Sequence, residues 1–421
     1  MRLLGITTEY NPFHNGHAYH IREAKARTGC DSVIALMSGD FVQRGLPASI
    51  SKYIRARAAL LNGADLVLEL PVYSATASAE RFADGAVRAF RDLGVDAISY
   101  GIEADTSASD AAQAIRNSAH FFLEESDAYQ ALLKEGLSKG QSYAAARWNA
   151  FLTLSKDAEA ISSTPNNILA IEYEKAMLRH SVRFESVMVT RRGNAYHDSA
   201  AGIYASATGI RQVFADYRGA KGETSEAVLK SLSESVPANV LPLYESLLPY
   251  TVTADDLSTA LFQSLYGKNA DELAGYFDVS RELAARIASA AGAPYTWSTL
   301  AEQVKDRSHT RSHVDRALCH ILLGITEGDE AKYRSAPSLP YLRVLGMKRS
   351  AAPLLSVLCE RSTAPLLVRL AKDLSTLTPK SRALYDAELR ATALYQSLLF
   401  SKGLTDTEER RRHFMIVEDT P

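Results

Sequence analysis

Residues 1–20 read MRLLGITTEYNPFHNGHAYH, and this stretch decides the fold. The apolar run LLGI at residues 3–6 predicts a buried strand, and Pro12 and Gly16 mark the loop that follows it. A helical pattern then runs over residues 17–28. The HNGH tetrapeptide therefore lies at a strand-to-helix turn, where free backbone N–H groups and the positive end of the helix dipole favour an anion.

The same alternation of strands and helices continues through the first half of the chain. We predict further strands at residues 32–37, 66–70, 97–100 and 184–189. Helices are predicted at residues 51–62 and 79–93, and from the turn at residues 162–167 to about His180. This alternation predicts a doubly wound α/β domain with a parallel sheet, whose ligands bind at the carboxyl ends of the strands.

Strand signals disappear in the second half of the chain. Residues 216–235 are rich in Gly, Lys, Glu and Ser, as in a linker, and helical periods then recur as far as residue 400. We therefore expect two parts, the α/β domain at residues 1–215 and an all-helical region at residues 216–421.

Composition and charge restrict the class of protein. The chain has 421 residues, which is enough for two domains with a core each. Its 47 basic and 49 acidic residues give a net charge of -2, so a nucleic-acid partner would have to be met by a local patch. Three scattered cysteines argue against a disulfide framework. Without a secretory signal or a run of roughly 18 apolar residues, we expect a cytoplasmic protein with no membrane partner.

The histidines of the first turn permit three interpretations. His14 and His17 can donate hydrogen bonds to phosphate oxygens, and Gly16 lets a ligand approach the backbone closely. Together with His20 they could instead bind a metal, although no acidic or Cys residue stands at a standard metal spacing. They could also simply cap the turn, and for His20 this is the better interpretation.

Two strings in the first half carry a resemblance to known proteins. HNGH resembles the HxGH motif of the nucleotidylyltransferase superfamily, which holds the phosphates of ATP. The longer string GITTEYNPFHNGHAYH, together with SGDFVQRGLPA at residues 38–48, resembles the tRNA(Met) cytidine acetate ligase family. The resemblance implies a Rossmann-like nucleotidylyltransferase domain. It also implies ATP contacts along the first strand and turn, at Ile6, Thr7, Thr8, Glu9, Tyr10, Asn11, Pro12, Phe13, His14, Asn15, Gly16, His17 and His20.

Two later positions lie at a predicted strand end and a predicted helix start. Gly101 follows the strand at residues 97–100, where bare backbone lets a nucleotide pack closely. The resemblance places an ATP contact at Gly101 and expects Asn167, in the PNN element, near the adenosine. Without the resemblance, a strand-end glycine is an ordinary turn, and an Asn after Pro165 is a helix N-cap.

The polar loop at residues 38–47 follows the second predicted strand. Asp40, Gln43 and Arg44 could face the substrate there, or they could be solvated residues of a turn rich in Gly and Pro. Both interpretations stay open for Asp40 and Arg44. Asp40 is included among the catalytic candidates.

The segments after the last predicted strand supply further phosphate partners. A guanidinium can donate two parallel hydrogen bonds to oxyanions, so the neighbours Arg191 and Arg192 suit a phosphate, and we favour Arg192. The string SATGIR, which begins at Ser206, resembles the superfamily's second phosphate element. Ser206 and Thr208 can donate to the β- and γ-phosphates, and Arg211 can offset the charge that develops on pyrophosphate. The alternative is a plain capped helix.

The helical region contains one candidate basic surface. In the helix predicted at residues 313–325, the apolar residues share one face. The opposite side and the residues just before it carry Arg307, His309, Arg311, His313, Arg316 and His320. This side could meet an RNA backbone, or it could be an ordinary solvated helix face. The mixed-charge stretch at residues 408–413 has the same two interpretations.

The resemblance implies an ATP-dependent ligase that acts on elongator tRNA(Met). Acetate would attack the α-phosphate of ATP to give acetyl-adenylate, and the N4 amine of the wobble cytidine would take the acetyl group to form N4-acetylcytidine. ATP would arrive with Mg²⁺, whose protein ligands the sequence does not identify. Two alternatives remain: a small-molecule adenylyltransferase of coenzyme biosynthesis, and a non-catalytic RNA-binding protein. The size of the helical region argues against the first, and the retained motifs argue against the second.

Overall fold

The computed structural model describes residues 1–104, 107–191, 206–219 and 224–419. Eight strands form one sheet. In chain order they are β1 (Leu3–Thr8), β2 (Ser32–Ser38), β3 (Leu66–Leu70), β4 (Ala97–Ile102), β5 (Glu185–Thr190), β6 (Leu342–Lys348), β7 (Leu366–Leu367) and β8 (Met415–Val417).

The helices of the described residues cover both faces of this sheet and continue beyond it. In the first half of the chain they are α1 (Asn15–Thr28), α2 (Lys52–Leu61), α3 (Val72–Ala75), α4 (Ala79–Leu93), α5 (Ala108–Glu124), α6 (Asp127–Ser138), α7 (Tyr143–Leu154), α8 (Pro165–Arg179) and α9 (Ala207–Gly219). In the second half they are α10 (Ser225–Leu232), α11 (Leu241–Glu245), α12 (Ser258–Leu265), α13 (Ala270–Leu273), α14 (Arg281–Ala290), α15 (Trp297–Val304), α16 (Arg311–Leu323), α17 (Glu327–Arg334), α18 (Ala352–Arg361), α19 (Leu370–Asp373) and α20 (Pro379–Ser401).

The strand order is β5-β4-β1-β2-β3-β6-β7, and β8 also pairs with β6. Strands β1 to β5 are parallel, and the chain passes from β3 back across the sheet to β4, on the other side of β1. The winding direction therefore reverses between β1 and β4, and a ligand crevice is expected at the carboxyl ends of these two strands. The doubly wound α/β fold predicted from the sequence is confirmed.

The second region is mostly helical, as predicted, but not entirely so. β6 adds to β3 in antiparallel orientation, and β7 and β8 pair with β6. Residues 366–374, predicted as helix, form β7 and the single-turn helix α19. Periodicity does not distinguish a short apolar run such as LRVLGMK from a buried helix segment, which is why these strands were missed. The boundary at residues 215 and 216 stays a prediction.

Each face of the sheet packs against its own set of helices. Along β1, Leu3 packs in the core formed with α4 and α8, whereas Leu4 and Ile6 pack in the core formed with α1, α2 and α9. We call these sides the α4 face and the α1 face. A Cβ on Gly5 would lie 2.6 Å from Cε1 of Phe90, so glycine is needed where α4 crosses β1.

The three cysteines are all free: Cys30 and Cys319 are buried, and Cys359 is exposed. No helix in the described part of the chain is both long and apolar enough to cross a membrane. The stretch predicted as a linker, residues 216–235, contains the end of α9 and the whole of α10.

Candidate nucleotide site

The turn between β1 and α1 is capped by its own histidines. His14 is the N-cap of α1, and its Nδ1 accepts a hydrogen bond from the Gly16 N–H at 3.0 Å. Nδ1 of His17 accepts one from the His14 N–H at 3.3 Å, so the two imidazoles complete a capping box. Their rings stack with centroids 3.8 Å apart. A Cβ on Gly16 would lie 2.8 Å from the His14 ring, so Gly16 makes room for it.

This capping fixes the protonation of both rings. Because each Nδ1 accepts from the backbone, the proton of each neutral ring is assigned to Nε2. Burial, with Arg191 and Arg211 nearby, lowers the pKa of His14 to about 3. Burial and the stacked His14 hold the pKa of His17 well below its usual value. Both histidines are therefore neutral, and neither Nε2–H has a partner among the described residues.

The backbone N–H groups at the start of α1 are not free, which corrects the sequence-based expectation. The Asn15 N–H donates to the Ser235 carbonyl at 2.9 Å, and the Gly16 N–H donates to the His14 ring. The N–H groups of His17 and Ala18 both donate to the His14 carbonyl. Of the donors at this turn, the backbone N–H groups of residues 15–18 are thus engaged within the protein, and, in the described part of the chain, the imidazole Nε2–H groups are not.

The second predicted phosphate element lies beside the first turn. Arg211 donates from Nη1 to the Asn11 carbonyl at 2.6 Å and from Nη2 to Thr208 Oγ1 at 3.0 Å. Ser206 Oγ accepts from the Gly209 N–H at 3.1 Å, as the N-cap of α9 would. The two motifs, about 200 residues apart in sequence, therefore meet at the same sheet edge, as the sequence predicted.

Arg191 is the arginine that the structure places next to the histidines. Its backbone N–H donates to the Ile102 carbonyl, and its guanidinium is 3.5 Å from Glu103. Its positive charge lowers the pKa of His14, His17 and His20. The sequence favoured the neighbouring Arg192, which lies outside the described residues. The preference for Arg192 as the phosphate partner stays a prediction.

The end of β4 combines an open glycine with a fully buried asparagine. A Cβ on Gly101 would have its nearest neighbour, Arg191 Cγ, at 3.6 Å, so the protein itself leaves room above this backbone. Asn167 Oδ1 accepts from the Glu103 N–H, and its Nδ2 donates to the carbonyls of Glu103 and Ser162. Its amide thus clamps the strand end to the start of α8. We assign to Asn167 a shaping role around Gly101, while direct contact with a nucleotide stays a prediction.

The TEYNPF loop is anchored from several directions. Asn11 Oδ1 accepts from the N–H and the hydroxyl of Ser49, both at 2.8 Å. The Phe13 carbonyl accepts from the Tyr244 hydroxyl at 2.7 Å. Tyr10 has a φ of 47° and packs edge-on against His17. These contacts hold the loop in place around the two histidines.

Arg55 is an organising residue that the sequence did not reveal. It is fully buried, and its guanidinium donates to the carbonyls of Glu9, Ser38 and Gly39. It thereby ties together the loops that follow β1 and β2. In sequence it is an ordinary arginine of a predicted helix, and we find no signal that would have singled it out.

His20 joins α1 to the sheet. Its Nε2 lies 2.8 Å from Ser99 Oγ, and Ser99 in turn donates to the Val187 carbonyl. Burial, with Arg191 and Arg27 nearby, lowers its pKa to about 4. This geometry agrees with the preferred interpretation of His20 as a structural histidine.

Asp40 lies in a buried charge cluster around Lys52. The Lys52 ammonium is 2.9 Å from Glu69, 3.5 Å from Glu409 and 3.6 Å from Asp40, and it donates to Thr392 Oγ1 at 2.9 Å. Burial disfavours the charged ammonium, but Glu409, Glu69 and Asp40 hold the pKa of Lys52 well above its usual range. These contacts connect Asp40 to the C-terminal segment of the chain and not to the histidines. Its catalytic role stays a prediction.

Arg44, the other open candidate of the loop after β2, is exposed. Gln43 at its side is half-buried and donates from its backbone N–H to Glu9 Oε1 at 2.9 Å and from Nε2 to the Ala77 carbonyl. Gln43 therefore supports the loop after β1, and nothing in its contacts marks it as a substrate ligand.

Two histidines of the candidate basic surface on and before α16 are turned inward, so the RNA-facing interpretation was wrong for His309 and His320. His320 is fully buried between the carbonyls of Phe277 and Thr76. His309 is buried, and its Nδ1 lies 3.0 Å from Asp306. The neighbouring basic side chains are paired as well. Asp278 contacts both His313 and Arg316, and Asp315 contacts Arg311. The sequence pattern could not reveal Asp278 as a partner, because it comes from another segment, whereas Asp306 and Asp315 lie three and four residues from the side chains they contact.

The described residues contain one group of three possible metal ligands, Glu282, Asp306 and His309. Arg286 already lies 3.4 Å from Asp306, so this group is explained by an ion pair. His14, His17 and His20 do not form such a group within the described ranges. The metal interpretation of these three histidines therefore gains no support.

Comparison with known proteins agrees with this geometry. A family model described as HIGH Nucleotidyl Transferase matches residues 1–411. The chain is 36% identical to the tRNA(Met) cytidine acetate ligase of Acetivibrio thermocellus over 402 residues, which cover 94% of each chain. It is 32% identical to the protein of the same name from Bacillus velezensis, with 99% of this chain and 100% of that protein covered.

A solved structure shares the fold over the whole chain. The Thermotoga maritima protein TmcAL, bound with alpha-thio ATP, matches with a TM-score of 0.86 and 26% identity, and both chains are covered completely. Its apo form matches with a TM-score of 0.87 and 27% identity.

Proposed function

Because the chain belongs to the HIGH nucleotidyl transferase family, and within it to the tRNA(Met) cytidine acetate ligases, we propose that it acetylates elongator tRNA(Met) in an ATP-dependent reaction. Its substrates are acetate, ATP and the tRNA. The product is N4-acetylcytidine at the wobble position, with AMP and pyrophosphate released.

The observation that carries this proposal is the set of donors at the turn between β1 and α1. His14 and His17 present neutral Nε2–H groups without partners among the described residues, and Arg191 and Arg211 bring positive charge to the same place. Neutral imidazole donors and guanidinium groups together suit a polyphosphate. The carboxyl ends of β1 and β4, where the winding reverses, are also where an α/β sheet binds nucleotides.

The proposed chemistry has two steps. A carboxylate oxygen of acetate attacks the α-phosphorus of ATP and pyrophosphate leaves, which gives acetyl-adenylate. The N4 amine of the cytidine then attacks the acetyl carbon and loses a proton, and AMP leaves. Such transfers need positioning and charge neutralisation more than a covalent nucleophile. His14, His17, Thr208 and Arg211 are proposed to neutralise the phosphates.

The remaining predicted contacts keep separate roles in this proposal. Gly101 provides an open backbone for the nucleotide, Ser206 caps the second phosphate element, and Arg191 joins the phosphate donors. The residues from Ile6 to Phe13 form and support the strand end and the loop. Asn15 is proposed as a further member of the turn, although its Nδ2 donates to the Glu234 carbonyl at 2.7 Å.

We expect Mg²⁺ to enter this site bound to the phosphates of ATP. The carboxylates nearest the turn are engaged: Glu9 accepts from the Gln43 N–H, and Glu103 pairs with Arg191 and accepts from Asn166. Glu9 and Glu103 thus do not form an uncommitted carboxylate pair for the ion. Mg²⁺ would be held by phosphate oxygens and water, as it commonly is with nucleotides, and no step is assigned to it.

We propose that residues 216–421 contact the tRNA, because a small-molecule enzyme has no need of so large a helical addition. His309 and His320 are excluded from this surface by their burial. A protein that modifies tRNA is proposed to act in the cytoplasm, where its substrate is found.

One assay tests the function. ATP–pyrophosphate exchange is measured with and without acetate, and tRNA is then added and analysed for N4-acetylcytidine. We expect exchange to require acetate, and the acetyl group to appear in elongator tRNA(Met). Exchange that ignores acetate would instead indicate a small-molecule adenylyltransferase, and tRNA binding without any exchange would indicate a non-catalytic RNA-binding protein.

A further inference from the structure

Five buried hydroxyls at the carboxyl edge of the sheet lack a hydrogen-bond partner among the described residues: those of Thr7, Tyr10, Ser38, Tyr173 and Thr190. Ser38 is 0% exposed and Tyr173 is 2% exposed. Folded proteins rarely leave buried hydroxyls unpaired, because desolvation of an unpaired group costs free energy. Unpaired hydroxyls beside a nucleotide site therefore point to a polar ligand.

Strand register brings three of these hydroxyls to one place on the α4 face. Thr7 of β1 lies between Leu36 of β2 and Tyr100 of β4. Ser38 is the next residue of β2 on the same face as Leu36, because side chains alternate along a strand. The ring of Tyr173, from α8, stacks on Tyr100 with centroids 5.0 Å apart. Tyr10 packs in the core of the α1 face, and Thr190 lies on β5, two strands from β1, so both are left out of the group.

The hydroxyls keep their protons and are able to donate. Burial raises the pKa of Tyr173, and the Thr7 hydroxyl, which faces the Tyr173 hydroxyl from beyond hydrogen-bond distance, lowers this pKa in part. The charge of Glu9 raises the pKa of Tyr173 further, and Glu9 already accepts from the Gln43 N–H. The buried guanidinium of Arg55 donates to the backbone carbonyls of Glu9 and Ser38, and its positive charge offsets the negative charge of the Glu9 carboxylate. The surroundings therefore do not exclude a small anion.

We propose that Thr7, Ser38 and Tyr173 form the subsite that holds the carboxylate of acetate. Three O–H donors match a carboxylate, which only accepts hydrogen bonds. Ile102, fully buried and the next residue of β4 after Tyr100 on this face, offers an apolar contact for the methyl group. The inference rests on the proposed function, in which an oxygen of acetate must lie close to the α-phosphorus.

The subsite also has a suitable position relative to the nucleotide. Thr7 and Thr8 are consecutive residues of β1 and therefore point to opposite faces. Thr8 points to the α1 face, where the histidines lie. Acetate held by Thr7 would therefore lie at the carboxyl end of β1. The phosphates of ATP, on the α1 face, would lie across the end of the same strand, next to Thr8.

The test uses the full chain and measures the KM for acetate and the KM for ATP in ATP–pyrophosphate exchange. The variants are Tyr173→Phe, Thr7→Val and Ser38→Ala, each of which removes one hydroxyl with little change of shape. We expect each to raise the KM for acetate about ten-fold, as for a lost hydrogen bond to a charged group, and to leave the KM for ATP within about two-fold.

Folding and a matched control separate this outcome from a structural effect. Tyr173→Phe removes an unpaired buried hydroxyl, so its melting temperature should equal or exceed that of the wild type. Tyr333→Phe makes the same change where the hydroxyl is bonded to Ser74 Oγ at 3.0 Å, so it should melt earlier while both KM values stay unchanged.

The possible results lead to different conclusions. If wild-type exchange depends on acetate but the three variants keep its KM for acetate, the subsite is wrong and the proposed function stands. If the variants raise the KM for ATP as much as that for acetate, the hydroxyls serve the nucleotide and the subsite is again wrong. If wild-type exchange ignores acetate, the proposed function itself fails and the subsite fails with it.

Discussion

Two groups of three histidines occupy different regions of this molecule. The first group, at the start of α1, consists of His14, His17 and His20. The second, in α16 and the loop before it, consists of His309, His313 and His320. In the sequence both groups look alike, with histidines that recur at roughly helical spacings and arginines in the same part of the chain.

The structure gives the two groups opposite surroundings. In the second group, Asp306 and Asp278 contact His309 and His313, and backbone carbonyls contact both ring nitrogens of His320. In the first group, each Nδ1 of His14 and His17 is used for capping, and the Nε2–H groups have no partner among the described residues. A histidine cluster thus becomes a candidate site when one ring nitrogen is fixed by the protein and the other is left to a ligand.

The largest contrast between the groups is expected in activity. His17→Ala removes a phosphate donor, so adenylate formation should fall by about 10²–10³-fold, as for a lost oxyanion donor. His313→Ala, in the paired group, should lower stability but leave adenylate formation nearly unchanged. Acetate-dependent ATP–pyrophosphate exchange and tRNA binding measure both variants. If the His17→Ala variant does not fold or does not bind tRNA, the role of His17 is structural.

The pH dependence of folding provides a second contrast. Burial lowers the pKa of His320 to about 4. In the unfolded chain the imidazole is protonated below about pH 6.5, whereas in the folded chain it is protonated only below about pH 4. His320 therefore contributes stability that is lost as pH falls through this window, by up to roughly 3 kcal/mol. Glu388, whose pKa burial raises to about 8, acts in the opposite direction.

The comparison of wild type with His320→Gln isolates this contribution. Chemical denaturation at pH 7 and pH 5 should show a smaller loss of stability on acidification in the variant than in the wild type. Parallel pH profiles of the two proteins would contradict the assignment of a neutral, buried His320.

A smaller effect is expected for the arginine beside the first group. Arg191→Gln removes a positive charge that lies near His14, His17 and His20. The KM for ATP should therefore rise about ten-fold, as expected when a hydrogen bond between charged groups is lost. The matched variant is Arg192→Gln, which the sequence alone would have preferred. A larger rise for Arg192→Gln would return the phosphate role to that residue.

The smallest effect is expected on α16. Arg316→Gln breaks the pair with Asp278 at 3.0 Å, which should cost about 1 kcal/mol or less of folding free energy. Because the pair lies within the protein, tRNA affinity measured by filter binding should not change. A clear loss of affinity without a loss of stability would restore the RNA-facing interpretation of this helix.

The sequence predicted the first part of the fold and the position of the site for clear physical reasons. Strands β1 to β5 alternate with long helices, and each motif stands at a strand end or a helix start. Strands β7 and β8 were missed because they are only two and three residues long, and β6 was missed because a long helical segment separates it from the other strands. Their partners are fixed only by tertiary packing.

Within the site, motif residues were easier to predict than supporting ones. His14, His17 and Arg211 come together as expected, because their motifs mark them. Arg55 and the clamping role of Asn167 were not foreseen, because both depend on carbonyls brought close by folding. Sequence reasoning finds groups that face a ligand more readily than groups that hold other parts of the protein.

The buried cluster around Lys52 has a consequence for cutting the chain. Its ammonium is held by Glu69 in the first half and by Glu409 and Thr392 near the C-terminus, and β6 covers the edge of β3. A fragment ending at residue 215 would lose these C-terminal partners and expose a sheet edge. The two parts should therefore melt in one calorimetric transition, and transplanting the nucleotide-binding part alone should yield an aggregating fragment.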